Sequence, residues 1–317
     1  MFRTALCDLL NIEYPIIQGG MARVSTAELA AAVSEAGGLG IIGSGTMPAD
    51  WLRKQIRLAR QLTKKPFGVN VMLLSPYLAD IMLLLREEPV AVITTGAGNP
   101  GKYVPSLREV GTKVIPVVSS VALAKRLART GVDALIAEGM ESGGHIGDIT
   151  TMAMVPQVVD VVDIPVIAAG GIFDGRGFVA ALSLGAVGVQ MGTRFMCASE
   201  CTIHPKVKEA IIKAKDRDTT ITGASLGHPV RSLRNKFTRK YKELEKQGIT
   251  VDELEKFGVG SLAAAMVEGN VENGTVMAGQ VCAMVGKIQT SRDIILETLQ
   301  EAQQVIGNIS RLVVKKT

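Results

Sequence analysis

The residue best suited to proton chemistry is a histidine in a glycine-rich run, Glu141-Ser-Gly-Gly-His145-Ile-Gly147. It is one of three histidines in the chain. An imidazole titrates near neutrality, so one held at a catalytic rim can move a proton or stabilise a developing charge. Two further runs, Ala168-Ala-Gly-Gly-Ile172 and Gln190-Met-Gly-Thr193, set small residues at turns. Glycine removes the side chain that would block approach, so backbone amides there suit a dianion without help from a lysine. Glu138, Glu141, His145 and Asp148 lie near one another in sequence, but their spacing matches no metal-ligand pattern and no metal is expected. Gly96-Ala-Gly-Asn-Pro-Gly101 fits G-x-G-x-x-G. Pro100, the lack of a directly following helix, and Ser119 and Ser120 where an acidic residue belongs argue against a dinucleotide fingerprint. That loop reads instead as a wall of the site. His204 and His228 both precede proline and read as loop residues, with His228 the one that could face the site.

Eight short apolar runs recur about every 25 residues and must position these groups. They are 15–19, 39–43, 67–71, 91–96, 113–119, 134–139, 165–171 and 188–195. Each is nearly all apolar rather than alternating, as strands covered on both faces are. Helical patterns lie between them at 26–36, 50–62, 120–130 and 175–184, two of them ending at Gly37-Gly38 and Gly131. Strands alternating with helices demand a parallel sheet, and eight of each predict an α/β fold, a (β/α)8 TIM barrel. Residues 204–256 are polar and strongly charged. They predict a small, mostly helical lid domain inserted after strand 8, over 201–274. The barrel then takes 1–200 plus 275–317, with the last barrel helix near the C-terminus.

In such barrels the active site lies at the C-terminal ends of the strands. The residues found there are Gln18, Gly20 and Met21 after the first strand, Asn70 after the third, and Gly96 and Asn99 after the fourth. Glu138, Gly144 and His145 follow the sixth. Ala169, Gly170 and Gly171 follow the seventh, and Gln190, Gly192 and Thr193 the eighth. Small residues and amides predict a flat, mostly neutral ligand, with a phosphate at the last two turns.

Composition narrows the class. The 317 residues are 47% hydrophobic and 21% charged with net charge +5. That is neither a disordered chain nor a nucleic-acid footprint. The four cysteines lack metal or redox spacing and read as buried thiols in a reducing, cytoplasmic setting. The longest uncharged run, 177–193, has 17 residues, is broken by glycines and predicts no membrane span. No signal peptide is evident at the N-terminus. The dense run Arg231, Arg234, Lys236, Arg239, Lys240, Lys242 reads by default as a solvated helix face. A docking patch for an acidic carrier protein is the sharper alternative. Nucleic acid is disfavoured, because no aromatic platform accompanies the charges.

Several of these motifs together resemble a known family. They are PIIQGGM (15–21), GVN (68–70), TTGAGNPG (94–101), AEGMESGGHIG (137–147), IPVIAAGGI (164–172), QMGTRF (190–195), DTTITG (218–223) and VMAGQ (276–280). The chain resembles the flavin-dependent nitronate monooxygenase (2-nitropropane dioxygenase) family over nearly its whole length. Within it, TTGAGNPG and VMAGQ favour the branch of enoyl-acyl carrier protein reductases of bacterial type II fatty-acid synthesis.

The resemblance implies FMN in the barrel, NADH or NADPH as electron donor, and an enoyl thioester, free or carried by acyl carrier protein, as substrate. It implies Gln18, Gly20, Met21 and Asn70 along the isoalloxazine. Glu138, Ala169, Gly170, Gly171, Gln190, Gly192 and Thr193 would hold the ribityl chain and phosphate, and His145 would be the catalytic histidine. Gly96, Asn99, Gly144, His228 and Met277 are then the substrate-facing and lid positions. A homodimer and a monovalent cation site are further family expectations. Oxidation of nitroalkanes with O2 on the same pocket is the runner-up, and a non-catalytic flavin- or phosphate-binding module is the reading from another class.

Overall fold

The computed structural model describes residues 2–312. Its strands are β1 (Ile16–Gln18), β2 (Gly40–Gly43), β3 (Phe67–Met72), β4 (Val92–Gly96), β5 (Lys113–Val118) and β6 (Leu135–Glu138). They continue with β7 (Gly144–His145), β8 (Val166–Ala169), β9 (Gly188–Met191), β10 (Thr219–Thr222) and β11 (Val230–Leu233). Eight of them form one parallel sheet in the order β1-β9-β8-β6-β5-β4-β3-β2. A bridge between Ile17 and Leu39 brings its two ends together. All eight predicted strands are present and the fold is a (β/α)8 barrel. The last ends at Met191 rather than 195, because the chain turns at Gly192 into a short helix, Thr193–Met196.

Neighbouring residues on the strands divide between two cores, which is why the runs read as apolar throughout. Ile17, Ile41, Val92, Ile115, Ile136 and Ile167 pack in a cluster with Leu6 and Leu10 of the N-terminal helix Ala5–Leu10. Ile16, Ile42, Ile93, Val114, Leu135 and Val166 join the larger cluster with the surrounding helices, among them Leu29, Leu52 and Ile56. The final helix, Ser291–Ser310, packs on both Gly175–Ser183 and Ala27–Glu35. It therefore occupies the eighth helical position of the ring.

Between β1 and β2 the ladder is a single bridge, and a side chain completes it. Gln18 is fully buried. Its Oε1 accepts from the Ile41 N–H at 3.1 Å, and its Nε2 donates to the Ile41 carbonyl at 3.2 Å and to the Gly19 carbonyl. Gln18 thus acts as a surrogate strand residue at the barrel seam.

The segment read from sequence as mostly helical holds four helices: Pro205–Lys213, Lys236–Gln247, Val251–Gly258 and Ser261–Met266. It also holds β10 and β11. These two strands pair antiparallel with each other, and β11 pairs with β7, giving a second sheet in the order β10-β11-β7. Among the described residues no helix is long and apolar enough to cross a membrane. All four cysteines are buried and unbridged.

Candidate active site

The barrel mouth is assembled by close backbone approach. A Cβ placed on Gly20 would lie 2.1 Å from the Asn70 Cβ, and one on Gly19 would lie 3.0 Å from the Gln190 Cδ. The first contact permits only glycine, while the second would press a larger residue against the Gln190 side chain. A Cβ on Gly192 would sit 3.4 Å from the Met21 Sδ. Asn70, inside β3, donates through Nδ2 to the Thr94 Oγ1 of β4 at 2.9 Å. Gly20, Met21, Asn70, Gln190 and Gly192 are therefore brought together along one arc of the rim. Gln18 is the exception: its amide is committed to the seam below the rim and is not free to meet a ligand.

The two glycine turns after β8 and β9 lie side by side, since Ala169 and Gln190 are ladder partners. Gly170 and Gly171 have φ of 88° and 72°, the left-handed region that disfavours any side chain. Gly170 also abuts the neighbouring loop, where an added Cβ would come within 2.7 Å of the Gly139 carbonyl. Among the described residues the amides of Gly171, Gly192 and Thr193 donate to no protein acceptor. Such converging N–H groups are the donor set a phosphate requires, so the residues present fit the phosphate end of a flavin mononucleotide. The Thr193 Oγ1 accepts from the Gly279 N–H at 2.9 Å, tying the turn to the Val276–Gln280 segment.

His145 forms β7 with Gly144. It is the register partner of Val230 on β11, and Gly144 pairs with Arg231. The next residue, Ile146, donates its N–H to the Pro229 carbonyl at 3.0 Å. His145 is an exposed residue. Burial by the walls around it, and then the charge of His228, hold its pKa below the ordinary 6.5, so it is neutral at pH 7. Met277 faces the same strand, with its Sδ 3.6 Å from where a Gly144 Cβ would stand. His228 sits on the exposed turn entering β11. The structure thus brings His145, Gly144, Met277 and His228 together.

Glu138 ends β6 opposite Ala169 of β8. Burial pushes its carboxyl up to about 7, with the Ser142 hydroxyl pulling the other way. Glu141 serves a different purpose. Its carboxylate accepts the Thr151 N–H at 3.0 Å, capping the helix Thr151–Val159. No group of three or more His, Cys, Asp or Glu capable of holding a metal occurs among the described residues. Gly96 and Asn99 lie at the opposite edge. Asn99 is exposed and its Oδ1 accepts from the Gly101 N–H at 2.8 Å. Ala97 between them adopts φ of 58°, a strained value for alanine. His204 caps the helix Pro205–Lys213 through Nδ1.

Sequence reasoning missed Arg231 as a site residue. It is 4% exposed, and its Nε donates to the Met140 carbonyl at 3.0 Å and its Nη1 to the Thr219 Oγ1 at 3.2 Å. One guanidinium therefore joins β10, β11 and the loop that carries His145. Its only sequence signal was a place in a basic run otherwise exposed.

The model of the nitronate monooxygenase family matches residues 3–301. Among curated proteins, the chain is 37% identical over 290 aligned residues to a probable nitronate monooxygenase of Staphylococcus aureus, covering 77% of this chain and 81% of that one. It is 33% identical to (3aS,4S,5R,7aS)-5-hydroxy-7a-methyl-1-oxo-octahydro-1H-indene-4-carboxyl-CoA dehydrogenase of Mycobacterium tuberculosis, covering 98% of this chain and 99% of that one. Among solved structures, FabK from Thermotoga maritima superposes with a TM-score of 0.96 at 53% identity, over 99% of this chain and 100% of that one. A nitroalkane oxidase from Streptomyces ansochromogenes gives 0.86 at 30% identity, over 96% and 100%.

Proposed function

The chain belongs to the nitronate monooxygenase family of FMN-dependent oxidoreductases, and from that premise we propose that it is an enoyl-acyl carrier protein reductase. In this reading it uses NADH or NADPH to reduce trans-2-enoyl thioesters. One observation carries the choice of reductase over nitroalkane oxidation: 53% identity to FabK along 99% of the chain, against 30% to the nitroalkane oxidase. The Staphylococcus relatives favour the second reading, a nitronate monooxygenase working with O2.

The chemistry that FMN would supply at this site is hydride transfer between a nicotinamide and the β-carbon of an enoyl thioester. The amides of Gly171, Gly192 and Thr193 would hold its phosphate, and Gly20, Met21 and Asn70 would line its ring. Charge then builds on the thioester carbonyl oxygen. His145, neutral and fixed in a β-ladder, presents an imidazole N–H to that oxygen, and charge stabilisation of this kind is the larger part of such catalysis. A proton reaches the α-carbon from His145 or from solvent in the cleft. Gly144 and Met277 shape the wall beside the imidazole.

The test is anaerobic mixing of the flavin-loaded protein with NADH, then with crotonyl thioester. The visible flavin absorbance should bleach and then recover. Recovery only with nitronate and oxygen would replace the reductase with the oxidase reading. A protein that takes up no flavin would end both.

A further inference from the structure

The helix Lys236–Gln247 turns a face to solvent that the barrel mouth does not use. It begins at a capping box on Asn235 and buries Phe237, Thr238 and Tyr241. Residues 231–242 hold six Lys or Arg and no Asp or Glu. Arg231 is buried, and the other five are exposed. Lys236 and Lys240 border an open cavity of about 570 Å³ whose apolar wall is Phe237, Phe257, Val259 and Ala264. The Phe237 and Phe257 rings stack with centroids 5.0 Å apart, and Val259 is 79% exposed. Glu272 and Glu243 approach the two lysines at 3.7 and 3.5 Å, exposed pairs that water and salt weaken. Arg239 makes no ion pair among the described residues.

The same helix is joined to the catalytic imidazole. It packs on β10, and its Lys242 Nζ donates to the Thr220 Oγ1 at 2.8 Å. From β10 the sheet runs through β11 to His145 on β7. Two strand spacings and one helix layer put the groove on the order of 20 Å from the imidazole.

We propose that this groove is where the acidic protein carrying the enoyl thioester docks, which rests on the reductase reading above. An acidic amphipathic helix lays its apolar side chains on Phe257 and Val259 and its carboxylates on Lys236, Arg239 and Lys240. An apolar groove rimmed by cations matches that chemistry in both shape and sign. A carrier seated there lies on the order of 20 Å from the sheet edge that holds His145.

The test compares crotonyl-acyl carrier protein with crotonyl-N-acetylcysteamine in the wild type and in Lys236→Glu/Lys240→Glu. The charge reversal should raise KM for the carrier substrate by about tenfold or more, with kcat and both constants for the small thioester unchanged. Added salt should raise only the carrier KM. Arg239→Glu serves as a second variant should the double change lower flavin content or Tm. An unchanged carrier KM in a folded variant overturns the docking surface and leaves the reductase reading intact, as does an equal loss with both substrates. A wild type that reduces neither thioester overturns the reductase reading instead.

Discussion

His145 stands directly opposite Val230 across an antiparallel ladder, so the imidazole is aimed by a strand of the inserted segment and not by the barrel alone. His145→Ala should leave this ladder and the amide-rich turns intact. Flavin content is expected to match the wild type, while reoxidation by crotonyl thioester slows on the order of 10²–10⁴-fold. Wild-type turnover in the variant would take His145 out of the mechanism.

The lowered pKa of His145 makes a pH prediction. Protonation keeps the imidazole N–H and adds a second one with a positive charge, a stronger donor to the developing enolate and a proton source for the α-carbon. kcat/KM for crotonyl thioester should therefore rise toward acid along a limb that lies below pH 6.5. In His228→Gln a neighbouring positive charge is gone, so the limb should move to higher pH. A limb that stays put in that variant would remove His228 as a cause.

Arg231 holds the histidine loop through the Met140 carbonyl. Arg231→Met should let the loop drift and lower kcat by on the order of 10²-fold, the scale of an ångström of misplacement. Bleaching of the flavin by NADH should proceed at the wild-type rate if the loop serves only the thioester half-reaction. Equal slowing of both half-reactions would mean general damage.

Glu138 should leave a signature in stability. Its carboxyl titrates near 4.5 when unfolded and about 7 when folded. Between those values the folded protein keeps a proton that the unfolded chain has released, so stability falls as pH rises through that window. The penalty reaches at most about 3 kcal/mol above pH 7. Glu138→Gln removes it: the variant should gain Tm over the wild type at pH 8 and not at pH 4.5. A constant difference across that range would contradict the assignment.

Gln18→Leu tests the seam. It strips partners from the buried Ile41 N–H and carbonyl, and an unsatisfied buried group costs about 1–3 kcal/mol. Urea midpoints should report a loss of that order. An unchanged midpoint would show the seam to be held by the Ile17–Leu39 bridge alone.

The barrel was legible because its strands are covered on both faces, so runs such as Leu39–Gly43 and Pro165–Gly171 stay apolar residue after residue and stop at glycine. The histidine loop and the two glycine turns after β8 and β9 were legible for the related reason that glycine marks close approach. Gln18 was not, since a buried amide that mends a backbone ladder looks in sequence like any polar residue at a strand end. β10 and β11 were hidden too. Thr219–Thr222 and Val230–Leu233 carry a Thr-rich, Arg-bearing pattern within a charged stretch, and their partner β7 is two residues long. Arg231 belonged visually to a solvated run, and only burial separates it from its neighbours.

The helix Ser291–Ser310 fills the gap between the helices Gly175–Ser183 and Ala27–Glu35, wedging residues 291–310 against segments synthesised well before them. During synthesis the ring stays unsealed until those residues emerge, and until then the apolar flanks of both waiting helices have no cover.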